Sequence, residues 1–106
     1  MDQPPALKLD WVCKQIRIGR YYWSYHGDQE RQADNLTIAE VENAIECGRV
    51  IECYPDTGRG ESCLIAGFSD GGIPIHAVVG IRGGLPVIVT TYIPKPPKFK
   101  TPYERG

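Results

Sequence analysis

Two histidines, His26 and His76, are the side chains of this sequence best suited to moving protons near neutral pH. His76 interrupts an apolar run, Ile73-Pro74-Ile75-His76-Ala77-Val78-Val79. An imidazole there can act as a proton shuttle on the open face of a sheet, or sit half-buried and bonded to a neighbour such as Thr91. His26 stands among Tyr25, Gly27 and Asp28, near a helix start. Arg31 follows five residues later, which on a helix is about 140° away, so the two need not act together. Arg59, in Gly58-Arg59-Gly60, is placed to clamp a phosphate from a loop or simply to solubilise it. Tyr21, Tyr22, Trp23 and Tyr25 fit either stacking on unpaired bases or packing of a small core. The sequence contains no P-loop, GxGxxG, HExxH or GxSxG.

The four cysteines, Cys13, Cys47, Cys53 and Cys63, include no CxxC pair, and the Cys47-to-Cys53 spacing matches no zinc knuckle. They read as small buried hydrophobes in a reducing compartment, with a metal site or a Cys–His nucleophile as lesser alternatives. No metal and no cofactor is expected. The net charge of −1 conceals a pattern: residues 21–70 carry three basic and ten acidic groups, while 71–106 carry five basic and one acidic. Lys95, Lys98, Lys100 and Arg105 thus form a basic end, either a solvated tail or one that contacts phosphate.

The elements that must position these residues follow from the pattern. At 106 residues and 11.8 kDa, the chain has room for one core and reads as one domain. No apolar run approaches the ~20 residues of a membrane span, and the first residues lack a signal-peptide pattern, so a cytoplasmic protein is expected. Leu7, Trp11 and Ile18 predict a helix over about 6–18, and Ser24 can cap another that runs to about Ala33. Thr37 with Glu40 forms a capping box, ahead of an apolar stripe of Ile38, Val41, Ala44 and Ile45 that ends at Gly48. Four segments rich in β-branched residues then follow, at 50–54, 62–68, 73–81 and 87–93, separated by short turn sequences. The predicted fold is α+β: N-terminal helices packed on a four-stranded antiparallel meander. If Gly83-Gly84 is the last hairpin's tip, His76 stands opposite Thr91, Ile65 lies on its other side, and Tyr92 points to the other face. Residues 94–102 hold four prolines and should run extended.

Several stretches in this order resemble domain-of-unknown-function family 4258: His26, the capped helix Leu36-Thr37-Ile38-Ala39-Glu40-Val41, and Gly48-Arg49-Val50-Ile51-Glu52-Cys53-Tyr54-Pro55. Pro74-Ile75-His76-Ala77-Val78-Val79 and Val87-Ile88-Val89-Thr90-Thr91-Tyr92-Ile93-Pro94 complete it, so that the resemblance spans about residues 24–94. That family looks like a branch of the RelE/BrnT-like toxin superfamily, which implies a RelE-like fold. Relatives there are often RNA-cutting toxins held by antitoxins and working without metal. The resemblance matches His26 to the family's helix-start histidine, His76 to its strand histidine and Tyr92 to its terminal tyrosine. One stretch departs: where relatives carry arginine before the capped helix, this chain reads Ala33-Asp34-Asn35-Leu36.

The expected function is a toxin–antitoxin-related interaction or regulatory module. It would bind an antitoxin-like protein, or a second copy through a sheet edge, without membrane contact. The alternative is a metal-independent endoribonuclease. It would use His76, His26, Tyr92 and Arg31 in catalysis, with Arg59, Lys95, Lys98 and Lys100 on RNA phosphates. The departure at Asp34 and the acidic middle of the chain favour the module.

Overall fold

A computed structural model describes residues 8–55 and 60–95, together with the backbone at 99–101 and 104–105. Three helices, α1 (Leu9–Arg17), α2 (Tyr25–Ala33) and α3 (Ile38–Glu46), accompany the strands β1 (Tyr22–Trp23), β2 (Arg49–Tyr54), β3 (Ser62–Phe68), β4 (Pro74–Arg82) and β5 (Leu85–Tyr92). Two further short strands, β6 (Phe99–Thr101) and β7 (Glu104–Arg105), pair as a separate antiparallel ribbon. No helix among the described residues is long and apolar enough to cross a membrane.

The capping box at the start of α3 forms as its sequence requires. The Thr37 hydroxyl accepts from the Glu40 amide at 3.0 Å, and the Glu40 carboxylate accepts from the Thr37 amide at 2.8 Å. The helix then buries Val41, Ala44 and Ile45 against β3 and β4. On the sheet side these meet Ile65, Ile75, Ala77, Val79 and Ile88, joined by Val12, Cys13 and Ile16 of α1. In β3 and β4 the helix-facing residues alternate with others that point to the opposite face.

The sheet differs from the predicted meander in one strand. The four antiparallel strands β2 to β5 are present, but β1 adds to the far edge, parallel to β5, in the order β1-β5-β4-β3-β2. The sheet is therefore mixed and five-stranded. A two-residue strand carries no periodicity to read. It is held by packing, because Trp23 lies beside Ile88 against the core.

The register also differs, and the cause is local. From the Gly83-Gly84 tip the pairing runs as expected, with Arg82 opposite Leu85 and Val79 opposite Ile88. A bulge then inserts Val89, so Val78 faces Thr90 and His76 faces Tyr92 rather than Thr91. In the preceding hairpin Phe68 pairs with Pro74, which places Ala66, not Ile65, on the other side of His76. Tyr92 consequently shares a face with His76, while Thr91 points into the core and its hydroxyl donates to the His76 carbonyl at 2.8 Å.

Candidate functional site

The site begins with how α2 is seated. Ser24 caps the helix by accepting from the Gly27 amide at 2.9 Å. Its hydroxyl also donates to the Val89 carbonyl at 2.8 Å, and its amide donates to the Ile88 carbonyl at 3.0 Å. These are the carbonyls at the β5 bulge. Gly27 permits the approach, since a Cβ there would sit 2.7 Å from the Ile88 oxygen. The first turns of α2 thus lie against β5, and Glu30 reaches the sheet.

Glu30 is the centre of a small polar chain. One of its carboxylate oxygens accepts a hydrogen bond from the Thr90 hydroxyl and lies 3.3 Å from His26 Nε2. The His26 side chain is 71% exposed, so the chain runs from solvent to the sheet. With Nε2–H directed at Glu30, the lone pair of the neutral ring resides on Nδ1. The Thr90 proton is engaged with Glu30 and not with the imidazole. The trio therefore orients a histidine and does not activate a hydroxyl nucleophile.

His76 and Tyr92 form a second pair on the same face as Thr90. Thr90 and Tyr92 are two residues apart on one strand, about 7 Å along it. The rings of His76 and Tyr92 are 5.4 Å apart and tilted by 58°, with His76 Nδ1 3.4 Å from the Tyr92 hydroxyl. His76 is fully buried and Tyr92 half-buried, so the tyrosine carries the accessible end of the pair. Further along this face lies a depression of about 300 Å³, lined by Tyr54, Ser62, Gly80, Arg82, Val87 and Val89.

Arg31 is occupied elsewhere. Its Nε and one terminal nitrogen donate to Asp28 at 3.0 and 2.8 Å, the other terminal nitrogen donates to the Leu36 carbonyl at 2.8 Å, and the guanidinium lies over the Trp23 ring at 5.6 Å. It ties α2 to the following turn, on a different side of the helix from His26. Asp34, at the position of the departure, also has a structural contact: its carboxylate accepts from the Ile93 amide at 3.0 Å. Lys95 is exposed just beyond β5. Arg59 and Lys98 lie outside the described residues, and Lys100 is described by its backbone in β6 alone.

The aromatic cluster divides in two. Tyr21 is half-buried and donates to Glu42 at 2.5 Å, while accepting from the Trp23 indole at 3.2 Å. Burial, followed by the Glu42 contact, pushes its phenol up to about 12. Tyr22 and Tyr25 instead project outward, 48% and 79% exposed, and Tyr25 directly precedes His26 in the chain.

The structure brings His26 together with Glu30 and Thr90, and His76 together with Tyr92. Glu30 and Thr90 escaped the sequence reading. The spacing of His26 and Glu30, one helical turn apart, was a usable signal. Nothing in the sequence pointed to Thr90, whose contact with Glu30 spans sixty positions. Among the described residues, no group of three or more His, Cys, Asp or Glu side chains is arranged to hold a metal ion.

Residues 23–93 match a family described as Domain of unknown function (DUF4258). No curated protein and no solved structure shows significant similarity to the chain.

Proposed function

Because the chain belongs to the DUF4258 family, we propose that it serves there as a non-catalytic interaction module of toxin–antitoxin type, engaging a small antitoxin-like protein. The observation that carries this reading is the burial of His76 at zero exposure, behind Tyr92. A strand histidine so enclosed reaches no RNA backbone. The bonds of Arg31 to Asp28 and Leu36 support it further, since a guanidinium so engaged has few donors left for a phosphate. The contact surface is the β1 edge and the start of α2. Tyr22 on that strand and Tyr25 and His26 at the helix start are all exposed, and tyrosine is among the side chains most enriched at interface centres.

Co-expression with the product of any small gene that neighbours its own, followed by light scattering on the purified complex, tests this. A stable complex that Tyr25→Ala weakens at least tenfold is expected. No complex, or one indifferent to Tyr22→Ala and Tyr25→Ala, refutes the surface.

One observation favours the second reading, a metal-independent endoribonuclease in the cytoplasm. The exposed, carboxylate-oriented His26 would take the ribose 2′-hydroxyl proton, Tyr92 would protonate the leaving oxygen, and Lys95 would contact phosphate. RNA incubated with the purified chain in EDTA, with and without ribosomes, separates the two readings. Intact RNA is expected; cleavage lost in His26→Ala would establish the enzyme.

A further inference from the structure

The outer hairpin of the sheet carries a second group of reactive side chains, away from the histidines. Cys53 on β2 and Cys63 on β3 are direct register partners, and their sulfurs stand 2.7 Å apart. Directly opposed residues of an antiparallel pair have Cα atoms about 4.5–5.5 Å apart, within the range a disulfide spans. The two thiols are unlike. Cys53 is exposed, whereas Cys63 is buried at 5% exposure. Both are free thiols in this structure.

We propose that Cys53 and Cys63 form a redox-active dithiol, which closes to an intramolecular disulfide by exchange with a low-molecular-weight disulfide such as oxidised glutathione. Cys53 is the entry thiol. Its thiolate attacks one sulfur of the small disulfide, whose S–S bond breaks, releasing one small thiolate and leaving a mixed disulfide on Cys53. Cys63 gives its proton to solvent base, and its sulfur attacks the Cys53 sulfur. The second small thiolate departs and takes up a proton. Two electrons have then moved from the protein to the small disulfide, which ends as two thiols.

The burial difference sets this order. Desolvation, and then the neighbouring Cys53, push the Cys63 thiol up to about 12, so it waits protonated behind its exposed partner. The remaining cysteines are placed differently. Cys13 is buried and donates to the Ile45 carbonyl at 3.6 Å; Cys47 donates to the Phe68 carbonyl at 3.3 Å. The Cys53–Cys63 bridge would tie the strand at the sheet's edge to its neighbour, one residue pair below the connecting loop.

The test equilibrates the full chain with glutathione at graded ratios of oxidised to reduced form, blocks remaining thiols with iodoacetamide, and maps the peptides. The expected product is a Cys53–Cys63 bridge as the one disulfide within the chain, with Cys13 and Cys47 outside any such bridge. Cys63→Ser should accumulate glutathione on Cys53, and Cys53→Ser should leave Cys63 at least tenfold less glutathionylated. Alkylation of both Cys53 and Cys63 in fully oxidised buffer, or a Cys13–Cys47 bridge in their place, overturns the proposal. Because the wild-type chain alone decides between these outcomes, a misfolded variant does not weaken the test.

Discussion

Replacing Gly67 with alanine should loosen the packing of α3 on the sheet. Gly67 sits on the helix-facing side of β3, and a Cβ there would lie 1.9 Å from the Ala44 carbonyl oxygen and 2.7 Å from its carbon. Both are backbone atoms, so no side chain can rotate away. Restoring even the 3.0 Å below which real Cβ contacts essentially never fall requires α3 to retreat by roughly 1 Å. Overpacking of this kind costs about 1–3 kcal/mol. The retreat also opens a gap beneath Val41, Ala44 and Ile45, and a gap of about 0.5–1 Å forfeits a quarter to a half of each dispersion well. The stiffer unfolded chain returns about 0.4–1 kcal/mol. The net loss is then ~3 kcal/mol, a large part of the ~5–15 kcal/mol that holds a domain folded. Urea denaturation followed by circular dichroism measures it. With a slope of about 1.5 kcal/mol/M the midpoint falls by ~2 M. Gly72→Ala is the control: its φ is +83° with nothing within 4 Å of a Cβ, so it bears the left-handed strain without the clash, about 1–2 kcal/mol. Equal midpoints for the two variants, or an unchanged midpoint for Gly67→Ala, would refute the reasoning.

Two other outcomes follow from contacts nearby. Thr37→Ala removes the acceptor for the Glu40 amide and should destabilise the chain by ~1 kcal/mol in the same urea assay. Tyr21 should titrate late: in an ultraviolet titration near 295 nm one phenol is expected to ionise at about 12, well above the ordinary value of 10. Because that folded value lies above the unfolded one, the associated stability is intact below pH 10 and declines as pH rises from 10 towards 12. Tyr21→Phe should flatten that decline.

Much of this fold was legible because local signals agreed with one another. The capping box at Thr37, the stripe through Val41 and Ile45, and the turn at Gly83-Gly84 each have a short-range physical cause, and each forms. What was illegible depended on distant pairings. β1 is too short for periodicity and exists because Trp23 packs beside Ile88. The Cys53–Cys63 opposition was readable in principle, since strands expected at 50–54 and 62–68 around one turn place those residues face to face. Cysteine spacing along the chain, sought as CxxC, concealed it.

The bulge at Val89 links the fold to the site more than any other feature. It shifts β5 by one residue against β4, bringing Tyr92 beside His76 and sending Thr91 into the core. The carbonyls at the bulge, on Ile88 and Val89, meet the amide and hydroxyl of Ser24, and Gly27 lets α2 settle against them. Once α2 is seated there, Glu30 reaches Thr90 and the start of the helix carries Tyr25 and His26 outward. One inserted residue thus encloses the strand histidine and helps to set the helix that presents the other. A sequence with the same two histidines and a regular β5 would place His76 opposite Thr91 on the face away from the helices, would turn Tyr92 toward the core, and would lack the bulge against which Ser24 and Gly27 seat α2.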